Sequence, residues 1–383
     1  MTGQMARRVK LGLSGLGSIS QRGILPHLSL QDAKEKIHLA AVCDIVADRA
    51  EVTARQYDVE QHFSDYDEML RRADIEAVAI AGPIPVHYTQ VMKALNAGKH
   101  VYVQKAMTVN VQEATDIVNL RKKTGLKLVA SPGQMLNQTQ VRIRNLIKDG
   151  ALGKIYWAFT SNVGGGHENE SFRAGGDVLS NVDPTWYYKK GGGPMYDMAV
   201  YQLHSLTGIL GSVKKVSAMS GIGTPVRFFK ERAIDVEMDD NTLLLLDFGD
   251  HTFAVATGQN CANTPTIGFG RMVFFGTEGT IDMGQAVGGV EVNVPKRLAG
   301  TLGFPGGTFK FGAGAPDIPY VTGQHMRIQE AHVYADIAHF AECIAENRDP
   351  IPTAEHARHV VEVIEKGYIA ARTGTTQEIE SSM

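Results

Sequence analysis

An alternation of apolar side chains that runs straight into Gly15-Leu16-Gly17 constrains this chain more than any other stretch. Val9, Leu11 and Leu13 alternate as a short buried strand, and a helical pattern runs from Ile19 towards Leu30. A strand, a tight glycine turn and a helix N-terminus together form a cradle for a dinucleotide pyrophosphate. Gly15 would make the turn, and Gly17 would let the backbone approach the phosphates. The unpaired N–H groups of the first helical turn, around Leu16, Ser18 and Ile19, would bind the negative charge. The third position of the fingerprint is Ser20 rather than Gly or Ala. A second apolar stretch, 38–43, ends at Asp44, whose carboxylate would accept from ribose hydroxyls and repel a 2′-phosphate. The competing reading is a structural turn with a helix-capping Asp. Ile45 offers nothing to a phosphate, so NAD is favoured over NADP; Arg49, a turn along the helix, keeps NADP open.

From residue 9 to about residue 130, short apolar runs alternate with amphipathic helical patterns. Strands are expected over 9–14, 38–43, 77–81, 100–103 and 126–130, with helices over 19–30, 46–57, 66–72, 86–97 and 111–124. Gly98 and Gly125 mark helix C-termini. Such alternation implies a parallel sheet covered on both faces, with ligands at the carboxyl ends of its strands. The informative positions are then 15–19, Asp44, Gly82-Pro83 with His87 beyond, Gln104-Lys105 and 131–137. His87 also reads as a structural residue at a helix start.

After a helical bridge at 141–148 the texture changes to longer strands over 154–161, 213–221, 241–248, 252–257, 271–275 and 290–294, with a hairpin turn across 275–281. One long helix is expected over 194–210, after Gly191-Gly192-Gly193. Residues 298–324 are rich in Gly and Pro and read as a lid, an oligomer arm or a mobile segment. Two helices, 331–346 and 354–372, end the chain. The fold class expected is therefore an α/β Rossmann domain with a parallel doubly wound sheet, followed by an α+β C-terminal domain with a large, mostly antiparallel open sheet. The boundary falls between 1–135 and 136–383, with the terminal helices able to pack back on the first domain.

A chain of 383 residues fits two cores better than one. A net charge of −3 gives no general attraction to nucleic acid or anionic membranes, and no apolar run approaches a membrane span. The N-terminus passes directly into the first strand, unlike a signal peptide. Cys43, Cys261 and Cys343 are far apart and odd in number, which points to a reducing, cytoplasmic setting. The histidines lack paired spacing, so no metal site is expected.

Four landmarks in order resemble the Gfo/Idh/MocA family, named for glucose–fructose oxidoreductase, inositol dehydrogenase and a rhizopine-catabolism protein. They are the glycine turn, Val78-Ala-Ile-Ala-Gly-Pro83 with His87, the segment 97–106 ending Gln104-Lys105-Ala106, and Gly191-Gly-Gly-Pro-Met-Tyr-Asp197. The resemblance covers nearly the whole chain. It implies a two-domain NAD(P)-dependent enzyme acting on sugars, cyclitols and their derivatives, assembled as a homodimer or homotetramer. Two departures stand out. Glu-Lys-Pro in the family is Gln104-Lys105-Ala106 here, and without the proline a trans peptide is expected, since cis costs about 3 kcal/mol. The family's Asp-x-x-x-His is Asp197-Met-Ala-Val-Tyr201 here, with His204 three residues on.

Oxidising a secondary alcohol needs a hydride acceptor against the carbon and a base for the hydroxyl proton. Asp197, Tyr201 and His204 are spaced i, i+4 and i+7, which on an α-helix puts them on one face. Lys105, expected to meet them from the other domain, would hold the substrate hydroxyl, favour the developing alkoxide and draw down the phenol pKa of Tyr201. The base is Tyr201, by position, or His204, by its ordinary pKa. Asp183, Trp186 and Tyr187 offer aromatic faces and polar tips to a sugar, or else core aromatics beside a glycine loop. His167, Arg173, His325 and Arg327 could reach the substrate, but nothing places them. Together these features predict an NAD-dependent oxidoreductase acting on a sugar, cyclitol or glycoside hydroxyl. Two rivals are a glycoside-cleaving hydrolase or lyase that oxidises the ring transiently with bound NAD, and a non-catalytic NAD(H)-binding sensor.

Overall fold

The computed structural model describes residues 7–260, 270–284, 289–294, 307–311 and 317–383. They form two compact units, each assembled from separate stretches of chain. The first comprises Met1–Gly133, Glu170–Trp186 and Ile318–Arg358, and the second Gln134–Asn169, Tyr187–Asp317 and His359–Met383.

The first unit is built on β1 (Val9–Ser14), β2 (Ile37–Cys43), β3 (Gln61–Phe63), β4 (Ala77–Ile80), β5 (His100–Val103) and β6 (Leu128–Ala130). Their order in the sheet is β3-β2-β1-β4-β5-β6 and every pairing is parallel. The strands are short and apolar on both sides because helices cover both faces. On one face, Val333, Tyr334, Ile337, Phe340 and Ile344 of the helix Ala331–Ala345 share a core with Val9, Leu11, Leu13 and Tyr102. On the other, Met69, Val91, Leu95, Ile117 and Val118 pack on Val78, Ile80, Val101 and Val103. The chain crosses over between β1 and β4, which opens a crevice at their carboxyl ends, where such sheets take ligands.

Local chemistry sets the element ends. Asp65 and Asn110 accept from the N–H groups of Glu68 and Glu113 as helix caps, and Gly125 adopts a φ of 68° to end Val111–Thr124. The helix expected over 19–30 departs from its regular form. It opens as a π-helical turn, Ser20–Ile24, and only Leu25–Leu28 is α-helical.

The second unit carries β7 (Ile155–Ser161), β8 (Lys215–Gly221), β9 (Val226–Phe229), β10 (Arg232–Asp235), β11 (Asn241–Asp247), β12 (Phe253–Gln259), β13 (Arg271–Gly276), β14 (Thr280–Asp282), β15 (Val290–Val294), β16 (Gly307–Phe311) and β17 (Gln377–Glu378). Among the described residues nine of these form one sheet, β16-β15-β14-β13-β7-β12-β11-β8-β17, and β9 pairs with β10 as a separate hairpin. The large sheet is antiparallel except where β7 runs parallel to β12. The turn expected across 275–281 joins β13 to β14. Part of the Gly/Pro-rich stretch 298–324 is strand β16, paired with β15; residues 298–306 and 312–316 lie outside the described residues.

The helix expected over 194–210 is likewise two pieces: a π-helical turn, Met195–Ala199, followed by the α-helix Val200–Leu210. Cys43 and Cys343 are buried free thiols, whose pKa values burial pushes up to about 12 and about 11; Cys261 lies outside the described residues. Among the described residues no helix is long and apolar enough to cross a membrane, and no group of three His, Cys, Asp or Glu could hold a metal ion.

Candidate functional site

The crevice of the first unit lies at the carboxyl ends of its parallel strands. Gly15 ends β1 with a φ of 88°, and a Cβ on it would lie 2.5 Å from the Gly82 nitrogen after β4. Only glycine satisfies both the left-handed backbone and that approach. Ser20 at the third fingerprint position is fully buried, and its hydroxyl donates to the Gly15 carbonyl, bracing the turn from inside. Ser18 and Ile19 precede the first bond of the helix, from Gln21 N–H to the Gly17 carbonyl at 3.0 Å. Their own N–H groups thus belong to the turn that serves anions. The N–H of Leu16 is instead used within the protein: it donates to Asp44 Oδ2 at 2.8 Å, tying the turn to the end of β2.

Asp44 Oδ1 accepts from Val46 N–H at 2.9 Å and pairs with Arg49 Nη1 at 3.2 Å. Arg49 also donates to the carbonyls of Val178 and Asn181, at 3.0 and 3.2 Å. The stretch Glu170–Trp186 therefore anchors to this crevice at several points. Val182 Cγ1 comes within 3.6 Å of where a Gly17 side chain would begin, and the Phe172 ring lies 3.9 Å under the Arg22 guanidinium. Arg22 in turn donates through Nε to Ser18 Oγ at 3.0 Å. Within that stretch Asp183 is exposed and caps its own turn by accepting from Thr185 N–H at 2.8 Å, and Trp186 is half-buried.

Gly82 and exposed Pro83 follow β4. His87 is fully buried, its Nδ1 2.8 Å from the Ala106 carbonyl and its Nε2 2.9 Å from that of Gly82. It thereby links the ends of β4 and β5, and burial pushes its pKa down. The Lys105–Ala106 peptide is cis, not trans as the sequence suggested. The expectation weighed only the intrinsic preference of the amide; here Ala106 is buried and its carbonyl is held by His87. Half-buried Lys105 follows buried Gln104, whose Nε2 donates to Tyr102 Oη at 2.5 Å.

A buried carboxyl supports this region. Asp336, on the helix Ala331–Ala345, accepts from Ser131 Oγ at 2.8 Å and from Gly133 N–H at 3.1 Å. Burial raises its pKa to about 7.

In the second unit, Asp197 sits inside the π-helical turn Met195–Ala199. A side chain on Gly258 of β12 would collide with Met195 Sδ, so the bare strand seats that turn against the sheet. Asp197 lies in a π-helical turn, whereas Tyr201 and His204 lie in the α-helix that follows it. His204 is buried, its Nδ1 2.8 Å from the Val200 carbonyl, and burial beside His359 lowers its pKa to about 4. Tyr201 is half-buried.

The imidazole that does meet Asp197 is His167, with Nε2 3.0 Å from Asp197 Oδ2. It comes from the loop after β7, and its ring lies 4.2 Å from the Tyr187 ring at an angle of 57°. Tyr187 is fully buried and accepts from Asn260 Nδ2 at 2.5 Å, so its ring serves as a wall for His167. Burial holds its phenol far above the ordinary range.

The neighbouring Glu168 takes the hydroxyl of Tyr188 and pairs with Arg227 Nη1 at 3.0 Å. Arg227 Nη2 reaches Asp240 at 2.8 Å and the Asn260 carbonyl at 2.7 Å. Arg227 arrives on β9, part of a hairpin that the sequence reading did not find. Of the other histidines and arginines left unplaced by sequence, Arg173 is buried and pairs with Glu170, and buried His325 meets His27 and Asp32.

Two family models match the chain: an oxidoreductase family with an NAD-binding Rossmann fold over residues 9–131, and the GFO/IDH/MocA C-terminal domain over residues 141–282. The scyllo-inositol 2-dehydrogenase (NAD(+)) of Bacillus subtilis (strain 168) is 25% identical over 353 residues, covering 91% of this chain and 90% of that protein. The inositol 2-dehydrogenase of Salmonella typhimurium is 29% identical over 150 residues, 38% of this chain and 43% of that protein. The chain spans about half the length of several of the curated relatives it matches. A solved levoglucosan dehydrogenase in complex with NADH shares the fold, with a TM-score of 0.78 at 17% identity over 98% of this chain and 100% of that one.

Proposed function

We propose that this chain, which belongs to the Gfo/Idh/MocA oxidoreductase family, interconverts a secondary hydroxyl of a sugar, cyclitol or glycoside with the ketone, using NAD. The observation that carries the reading is the shared sheet. The strand that ends at the Gly15 turn and the strand that ends at Lys105 belong to one parallel sheet, whose ligands bind at those ends. Bound NAD would accept or return the carbon-bound hydrogen. Gly15, Gly17, Ser18 and Ile19 would hold its pyrophosphate, Asp44 its adenosine ribose, and Gly82, Pro83 and Gln104 would border it.

The Lys105 ammonium holds the reacting oxygen and favours its alkoxide form, which lowers the barrier as charge develops. Asp197 orients the group that exchanges the hydroxyl proton, and Tyr201 and Trp186 border the sugar. Exposed apolar side chains on the large sheet (Trp157, Met219, Leu243, Leu245 and Phe253) suit a face buried in a homodimer or homotetramer.

The test is a panel of sugars, cyclitols and glycosides with NAD, read as reduced nicotinamide. Lys105→Ala and Asp197→Ala should each lower kcat by roughly 100-fold or more while the Kd for NAD changes less than about threefold. Wild-type turnover in both variants refutes the reading. Cleavage of a glycoside with no net reduced nicotinamide replaces it with transient ring oxidation.

A further inference from the structure

Residues 170–186 form a hairpin that holds its own shape. Val182 N–H donates to the Arg173 carbonyl at 3.0 Å, Ala174 bridges to Asn181, and Gly175 N–H donates to the Ser180 carbonyl at 3.2 Å. At the tip, Asp177 Oδ1 accepts from the N–H groups of Leu179 and Ser180, at 2.9 and 3.0 Å. Only Arg173 and Pro184 of the hairpin are buried, and none of its side chains enters the apolar cores on the two faces of the parallel sheet. A segment bonded to itself but with little apolar anchorage opens at low cost, and as one piece.

Two arginines fasten it, and each also holds a residue expected to bind the cofactor. Arg49 donates through Nε to the Val178 carbonyl at 3.0 Å and through Nη2 to that of Asn181 at 3.2 Å, while its Nη1 pairs with Asp44 Oδ1 at 3.2 Å. Arg22 lies 3.9 Å over the Phe172 ring and donates to Ser18 Oγ at 3.0 Å; its other partners are Gln329 and Glu330, at 2.8 and 3.0 Å. Between these fastenings, Val182 Cγ1 sits 3.6 Å from where a Gly17 side chain would begin. The hairpin therefore lies against the glycine turn itself. Asp44 still suits a ribose: Leu16 N–H, Val46 N–H and Arg49 use three of the four acceptor positions of its carboxylate.

We propose that this hairpin is a lid on the dinucleotide site, latched by Arg49 and Arg22, whose opening sets the rate at which NAD enters and leaves. The inference rests on the NAD-dependent reading above. A ribose hydroxyl on Asp44 fixes the carboxylate that steers the Arg49 guanidinium, and the guanidinium holds two carbonyls of the lid. Coupling of this kind is reciprocal, so a closed lid tightens NAD by the same factor by which NAD favours closure. The latch needs arginine, because a lysine ammonium lacks the planar fork that reaches Asp44 and both carbonyls at once.

The full chain tests this with Arg49→Met, Arg49→Lys and Phe172→Ala. NADH release is followed by nicotinamide fluorescence in a stopped-flow chase with excess NAD+. Both Arg49 variants should release NADH about tenfold or more faster than wild type, and Phe172→Ala about threefold or more. Arg49→Lys keeps a positive charge beside Asp44, so fast release there comes from the lid rather than from a disturbed ribose ligand. Hydrogen exchange supplies a readout independent of turnover. In the wild type NAD+ should slow exchange of the amides over 173–182 by about fivefold or more, and Arg49→Met should lose that protection while β1 and β4 keep theirs. Release within about twofold of wild type in both Arg49 variants overturns the lid, as does equal exchange with and without NAD+, and either leaves the NAD-dependent reading intact. A wild type that binds no NADH overturns both.

Discussion

Asp336 ties protonation to the stability of the nucleotide-binding unit, and the effect can be sized. Its carboxyl is buried, raised from an ordinary 3.8 to about 7, with burial opposing the hydrogen bonds from Ser131 and Gly133 that favour its charge. In the unfolded chain the same carboxyl ionises near 4. Between about pH 4 and pH 7 the folded protein therefore binds a proton that the unfolded chain does not. Stability must fall as pH rises through that window, by about 1.4 kcal/mol for each of roughly three pH units, or about 4 kcal/mol in total. Below pH 4 both forms are neutral, and above pH 7 both are charged, so the slope flattens at either end.

Asp336→Asn is close to isosteric. Its amide oxygen can accept from Gly133 N–H, and its nitrogen can donate to Ser131 Oγ. The variant should match wild type near pH 4 and become more stable by up to about 4 kcal/mol at pH 8. At about 2–4 °C per kcal/mol for a unit of this size, that is a Tm gap of roughly 8–16 °C. Thermal unfolding followed by tryptophan fluorescence and circular dichroism from pH 4.5 to 8.5 measures it. Parallel curves for the two proteins refute the assignment, as does a gap that widens towards acid.

Gly15→Ala places a Cβ 2.5 Å from the Gly82 nitrogen at a φ of 88°, so the two strand ends must separate. NAD affinity measured by calorimetry should drop at least about tenfold, whereas Ser20→Ala, which loses only the brace on the turn, should cost less. Arg227→Met strands Glu168 and Asp240 as buried charges. Breaking such a pair costs about 3–5 kcal/mol, and Asp240, which keeps the N–H groups of Gly223 and Thr224, holds the loss near the lower figure. Chemical denaturation should show that loss, and an unchanged midpoint would show that the cluster contributes nothing.

The parallel sheet was legible because its strands are short, apolar on both sides and punctuated by Gly98 and Gly125, signals that depend on nearest neighbours alone. The family resemblance then supplied the order of landmarks. What escaped was structure with little apolar content: β3 contributes only Phe63 to the core, and β17 is two polar residues on a sheet edge. The hairpin of β9 and β10 exposes Phe228 and interleaves Arg227, Arg232 and Asp235, so its alternation reads as a charged loop. It is held by Arg227 reaching carboxylates far along the chain, which no local pattern records.

The two π-helical turns matter most, because each stands at a candidate site residue and neither has a sequence signature. An i, i+4 count from Asp197 assumes 3.6 residues per turn, and the turn that holds Asp197 is π-helical. That count leaves out a partner that the fold supplies to Asp197, His167, thirty residues earlier and in a glycine-flanked loop. One signal could have pointed there. His167 follows three glycines, Gly164 to Gly166, that let a loop turn back. A helix register is thus a weak guide to side-chain pairing, because the imidazole that meets Asp197 comes from a loop that no helical count from Asp197 reaches.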